Sequence, residues 1–231
     1  MKLLLLHGAL GSTAQLVKLA TQLSEHHEVL LMNFSGHGTD PATTAYSIPA
    51  FANDVLKFLA ASNIKEITII GYSMGGYVAM YLAAHHPEIV TSVITLATKY
   101  QWTPEIAARE IKMLDSGTIA TKLPDFARML EERHSGIGWK NVLLQTADMM
   151  TAMGQNNPLK VTDLASISHP CLVMLGDKDK MVSLAETVEV FNGLPNAQLC
   201  ILPGTGHPIE QLDVTLVAAV VNKFLSTSTS S

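Results

Sequence analysis

Short apolar runs alternate along the chain with longer stretches in which apolar residues recur at helical spacing. Six of the runs read as strands, near 2–6, 28–33, 66–70, 93–97, 171–175 and 198–202. Lys2-Leu3-Leu4-Leu5-Leu6, the β-branched Glu66-Ile67-Thr68-Ile69-Ile70 and Cys171-Leu172-Val173-Met174-Leu175 are the plainest of them. Helix starts are marked by Ser12, by Ser183 with Glu186 in the capping-box position, and by Pro49 as a first helical residue after Ser47. Strands alternating with helices predict an α/β architecture: a doubly wound, mostly parallel six-stranded sheet with right-handed crossovers.

The alternation breaks between about Lys99 and His169. This stretch has no strand and offers helices near Pro104–Leu114, Pro124–His134 and Trp139–Met153, ended by Gly117, Gly136 and Gly154. Residues 1–98 and 169–231 then form one α/β core, and 99–168 a helical insertion after the fourth strand. The polar terminus 226–231 has nothing to pack and is expected to fray.

Gly71-Tyr72-Ser73-Met74-Gly75-Gly76 joins the third strand to an Ala-rich, helix-like segment running to Pro87. A strand-to-helix turn this tight excludes Cβ atoms two residues before and after the serine, which accounts for Gly71 and Gly75. Ser73 would project its hydroxyl from the turn, and the first N–H groups of the helix would point at any anion formed beside it. A serine nucleophile needs a base held by a carboxylate. The fifth strand ends in Gly176-Asp177-Lys178-Asp179, and the sixth runs into Pro203-Gly204-Thr205-Gly206-His207. Both loops lie where open α/β sheets place their chemistry. Asp177 directly follows its strand and could cap the turn; spacing alone does not separate it from Asp179. At the first strand, His7-Gly8-Ala9-Leu10-Gly11-Ser12 is a glycine-flanked loop whose amides can complete an oxyanion hole with that of Met74.

In this order these pieces resemble the α/β-hydrolases. The matching segments are His7-Gly8, Ser35-Gly36-His37-Gly38, the serine turn, Gly176-Asp177-Lys178-Asp179 and Gly206-His207. They are similar to those of the small lidded enzymes that include carboxylesterases, enol-lactonases and menaquinone-pathway lyases. The resemblance implies strand order 2-1-3-4-5-6, Ser73 as nucleophile, His207 as base, Asp179 as its orienting acid, and the Ala9 and Met74 amides as the oxyanion hole. It also makes the insertion a lid over a pocket that draws on Leu10, Tyr72, Met149 and Met153. Two features depart from the family: its usual two antiparallel strands before the His-Gly loop are lacking, and Asn33-Phe34-Ser35 stands where an Asp is usual.

The insertion's Met113, Met129, Met149, Met150 and Met153 suit either an adaptable acyl site or the contacts that dock the lid. Every arginine of the chain, Arg109, Arg128 and Arg133, also lies there. Facing the pocket, one could clamp a substrate carboxylate; on the surface, Arg109 would pair with Glu105, and Arg128 with Glu131 or Glu132. His7 and His37 are expected to support loops around the pocket. His26-His27 and His85-His86 are expected at helix ends, and no metal or cofactor is expected.

The 231 residues, 48% hydrophobic and 15% charged, suffice for one buried sheet covered by helices. A net charge of −5 without a basic stripe argues against nucleic acid as a partner. The opening leucine run stops at His7 and no later run spans a bilayer, so neither a signal peptide nor a membrane span is expected. Cys171 and Cys200 fall in strands and read as small core residues of a cytoplasmic protein. The expected activity is hydrolysis of a small-molecule ester or thioester with an apolar acyl group. The alternatives are a lyase or carbon–carbon hydrolase using the same triad on a carboxylated substrate, a cofactor-free perhydrolase, and a small-molecule receptor.

Overall fold

The computed structural model describes residues 1–41 and 45–228. Its strands are β1 (Lys2–Leu6), β2 (Glu28–Leu31), β3 (Ile67–Tyr72), β4 (Val90–Leu96), β5 (Cys171–Gly176) and β6 (Ala197–Leu202), in the order β2-β1-β3-β4-β5-β6. Every pairing is parallel, so the sheet is fully and not mostly parallel. The leucines of β1 show why the runs lack polar alternation. Leu3 and Leu5 pack on one face with α1 (Val17–Leu23) and α10 (Val214–Ser228), whereas Leu4 and Leu6 pack on the other with α2 (Ile48–Ala61) and α3 (Met74–His85). All four have zero exposure, and burying a leucine fully contributes about 1.5–3 kcal/mol. A strand that is apolar on both faces is thus stable only inside such a sandwich.

α9 (Leu184–Gly193) packs on β5 and β6. Cys171 is buried, while Cys200, on the edge strand β6, is only half-buried. Ser47 caps α2 by accepting from the Ala50 amide at 3.2 Å, with Ile48 preceding Pro49 in the helix. Glu186 does not close a capping box: Ser183 accepts from its amide at 3.1 Å, but its carboxylate is used elsewhere. Residues 226–228, expected to fray, are the last of α10; 229–231 lie outside the described residues.

Residues 99–168 are helical, as α4 (Pro104–Ile111), α5 (Ser116–Lys122), α6 (Pro124–Arg133), α7 (Trp139–Gln155) and α8 (Val161–Leu164). Two glycines act differently from expectation. Gly117 lies inside α5, whose start is capped by Asp115 accepting from the Thr118 amide at 2.7 Å. Gly154 lies inside α7, and a Cβ there would come within 2.7 Å of the Ala107 Cβ and 2.9 Å of the Thr103 carbonyl oxygen. Its smallness lets α7 approach α4 and terminates nothing.

The register places the site. Leu6 is level with Gly71, Tyr72 with Leu96, and Gly176 with Leu202. The chain therefore leaves β1, β3, β5 and β6 at one common edge, carrying His7-Gly8-Ala9, Ser73, Asp179 and His207 to it.

Candidate active site

Ser73 follows β3 directly with φ 51° and ψ −116°, a conformation that L-residues rarely adopt. Its amide donates to Leu96 O at 2.8 Å, and its carbonyl accepts from Gly76 N, Tyr77 N and the Thr98 hydroxyl at 3.0, 3.2 and 3.1 Å. The backbone of the turn is thus fixed on both sides while the hydroxyl makes no hydrogen bond among the described residues. The flanking glycines are steric necessities. A Cβ on Gly71 would sit 2.3 Å from backbone atoms of Gly75 and Gly76, and one on Gly75 would sit 2.4 Å from Leu6 O.

Of the two candidate carboxylates, Asp179 meets the histidine. Its Oδ2 accepts from His207 Nδ1 at 2.8 Å, and its Oδ1 accepts from the amides of Met181 and Val182 at 2.8 and 2.9 Å. Its side chain is fully buried. Burial by itself would raise its pKa, but the His207 hydrogen bond and the two amides outweigh this and hold the carboxyl below its ordinary value. With Nδ1–H donated to Asp179, the lone pair of His207 is on Nε2, the tautomer that a general base requires. Asp177 instead accepts from Thr205 N at 3.2 Å and lies 3.7 Å from the Lys178 ammonium, as a turn residue does.

Ser73, Ala9 and Met74 line one cavity of about 40 Å³. The amides of Ala9 and Met74 donate to no group among the described residues, so both are free for an anion beside Ser73. Met149, Met150 and Met153 also line this cavity, and Met149 and Met153 belong to the main core as well. Their two expected roles, lining a pocket and docking the insertion, coincide. Met113 does neither and is largely exposed. Leu10 and Tyr72 do not line the cavity. Leu10 packs against α6 and α7, whereas Tyr72 faces the α1 and α10 side and donates its hydroxyl to His207 O at 2.9 Å.

Behind the His7 loop is a box of neutral rings. His7, His37 and His134 have zero exposure, with centroids 5.0 Å apart for His7–His37 and 6.0 Å for His37–His134. His7 donates from Nδ1 to Gly8 O at 2.8 Å and accepts at Nε2 from Phe34 N at 3.2 Å. His134 accepts from Gly38 N at 3.0 Å and donates to Leu10 O at 3.1 Å. The loop-supporting role expected of His7 and His37 is thus shared with His134, whose isolated position in the sequence carries no signal. Burial, the largest cause in each case, lowers all three pKa values, that of His7 to about 4. The unfolded chain takes up these protons near pH 6.5 and the folded chain does not. Stability is therefore complete above about pH 6.5 and falls as the pH drops toward 4, with His7 alone costing about 3 kcal/mol at the lower end. A urea midpoint that declines steadily between these pH values is expected; a flat midpoint would contradict the neutral box.

Arg133, at the end of α6, donates to Leu10 O at 2.8 Å and to Glu210 Oε1 at 3.2 Å, and its side chain is only 10% exposed. Leu10 itself has φ 59°. Arg133 and His134 thus hold a strained loop residue beside Ala9, and Arg133 links that loop to the segment just after His207. Neither expected arginine role applies to it. Arg109 pairs with Glu110 at 3.0 Å, not Glu105, and Arg128 pairs with Asp125, not Glu131 or Glu132.

Lys99, which lines the cavity, carries no signal in the sequence. It donates to Met181 O at 2.8 Å and lies 3.7 Å from Glu186 and 4.0 Å from Glu110, two buried carboxylates. Glu186 also accepts from the amides of Tyr100 and Gln101 at 2.7 and 2.9 Å, anchoring the first residues of the insertion on α9. Capping-box spacing gives Glu186 a sufficient local role and conceals this one.

No group of three or more potential metal-ligating His, Cys, Asp or Glu residues occurs among the described residues, and no helix among them is long and apolar enough to cross a membrane. Residues 2–137 match the family model of the alpha/beta hydrolase fold. Over 96% of its length the chain is 21% identical to 2-(acetamidomethylene)succinate hydrolase of Mesorhizobium japonicum, covering 87% of that protein. It is likewise 21% identical to esterase YbfF of Escherichia coli, over 97% of this chain and 92% of that one. Among solved structures it superposes on the enol-lactonase of Burkholderia xenovorans with a TM-score of 0.79 at 19% identity, over 97% and 91% of the two chains. MenH of S. aureus gives a TM-score of 0.80 at 20% identity, over 99% and 94%. At such identities the structural likeness speaks for the fold.

Proposed function

The chain belongs to the α/β-hydrolase family, and from that membership we propose that it is a serine hydrolase cleaving an ester or thioester of a small substrate with an apolar acyl group. The observation that carries this reading is the 2.8 Å bond from His207 Nδ1 to buried Asp179, set on the same sheet edge as the Ser73 turn. In this reading the Ser73 hydroxyl attacks the acyl carbon while His207 Nε2 takes its proton. The oxyanion accepts from the Ala9 and Met74 amides, and Asp179 stabilises the imidazolium. His207 then protonates the departing alcohol or thiol, and water, deprotonated by the same base, releases the acid. The bond from Ser73 to His207 forms as substrate enters, since such bonds are commonly long in free enzymes.

Residues 99–168 act as the lid, since Lys99, Trp102 and three methionines of this segment line the serine cavity. The free cysteines suit the reducing cytoplasm, where we place the protein. A carboxylated substrate, as a lyase or lactonase reading requires, needs an available cation. Lys99 is held between Glu110 and Glu186, and Arg133 is committed to Leu10 O and Glu210, which favours an uncharged acyl group.

Steady hydrolysis of short p-nitrophenyl esters by the purified protein tests the proposal. Peroxide-dependent halogenation, or tight ligand binding without turnover, would replace it with the perhydrolase or receptor reading. Arg133→Ala is expected to lower kcat about tenfold, or about 1.4 kcal/mol, with KM little changed, because the Ala9 amide loses its support. Arg133→Lys, which keeps the charge and a single donating nitrogen but not the fork, should recover part of the loss. A rise in KM at constant kcat would instead make Arg133 a substrate-binding group.

A further inference from the structure

A second hollow adjoins the serine cavity and has no part in the mechanism above. It is an open cleft of about 240 Å³ between the insertion and the core. Buried Tyr100, Leu159, Leu164 and Val190 give it an apolar floor, and exposed Lys160 and Glu189 stand among its polar lining. Trp102 lines both the cleft and the serine cavity, and so forms the partition between them.

Size indicates what the cleft is for. A cavity of about 150 Å³ holds a benzene ring, and ligand pockets run to several hundred Å³. The 40 Å³ beside Ser73 is room for a group of about acetyl size. A longer substrate must place its remainder elsewhere, and the adjoining apolar volume lies across Trp102.

The two aromatic residues of the dividing wall differ in how they are held. Tyr77, which lines the serine cavity, donates its hydroxyl to the Asn157 side chain and accepts from the amide of Leu159, a cleft residue, at 2.9 Å. Trp102 has no such tether: its Nε1 is buried without a partner. Turning the indole breaks no hydrogen bond, and a buried orphan donor is itself unfavourable where it stands. The wall is therefore pinned by hydrogen bonds at Tyr77 and held at Trp102 by packing alone.

We propose that the cleft is the subsite for the longer apolar arm of the ester, and that Trp102 is the gate joining it to the serine cavity. This rests on the hydrolase reading. The arm is aliphatic or aromatic and uncharged, since the lysine and glutamate of the cleft offset each other.

The test compares two homologous series, p-nitrophenyl esters of acetate to octanoate and acetate esters of ethanol to octanol. Trp102→Ala is expected to raise the long-to-short ratio of kcat/KM at least about tenfold in one series, and that series identifies the arm. Trp102→Phe, which keeps the bulk, should shift the ratio less. Ile106→Phe and Leu164→Phe, which add bulk at two lining positions of the cleft, should lower it. A second readout does not depend on turnover. The chain has two tryptophans, so Trp139→Phe leaves Trp102 as the sole indole emitter. Its emission should change saturably with 1-octanol, and the response should weaken in either cleft-filling variant. Unchanged ratios in both series, with acetate still hydrolysed, would overturn the gate; the absence of a saturable octanol response would overturn the subsite. If no ester is turned over by any variant, the hydrolase reading falls while the octanol titration still decides the cleft.

Discussion

Ester turnover by the Ser73→Ala variant is expected to be about 10⁴- to 10⁶-fold below that of the parent chain. Among the described residues Ser73 alone combines a glycine-flanked turn, a left-handed φ and two unengaged amides beside it. Removing the hydroxyl removes the attacking atom and leaves the turn intact, because its contacts run through the backbone amide and carbonyl. The parent and variant should therefore melt at similar temperatures. Turnover reduced only a few-fold would place the nucleophile elsewhere.

Asp179→Asn is expected to cost about 10⁴-fold in kcat, and Asp177→Asn less than tenfold. The substituted amide can keep its oxygen on the Met181 and Val182 amides, but it then turns an NH₂ group toward His207 Nδ1. Nδ1 becomes the acceptor, the proton moves to Nε2, and the base is lost together with the anion that steadies the imidazolium. Asp177 offers only a turn bond to Thr205 and an exposed pairing with Lys178, and neither touches His207. Steady-state kinetics on both variants checks the ranking, and its reversal would transfer the role to Asp177.

The parts legible in the sequence are those governed by local rules. Apolar runs mark the central strands because both faces of the sheet are buried there, while the edge strands β2 and β6 stay partly exposed. Gly71 follows from sterics inside the serine turn, whereas the crowding at Gly75 comes from Leu6 on β1. The place of Tyr72 is legible too, through strand parity. Ile70 and Tyr72 share the α1 and α10 face while Ile69 shares the other, so a pocket position for Tyr72 conflicts with the period of two. Gly154 is ambiguous in sequence because a helix-ending glycine and a close-packing glycine look alike until the second helix is in place. Arg133 and Glu186 are beyond reach for a different reason. Their partners, Leu10 and Glu210 for one and Tyr100 and Gln101 for the other, lie far off in the chain, and each residue also has a plausible neighbour nearby. Long-range polar contacts leave no periodic trace in the sequence.

The central claim is that Ser73 becomes covalently acylated. Treating the chain with a fluorophosphonate and mapping the adduct by peptide mass spectrometry tests it most directly. One adduct per chain is expected, on the peptide carrying Ser73, and none in Ser73→Ala. An adduct on another serine, or ester hydrolysis by a chain that takes no label, would contradict it.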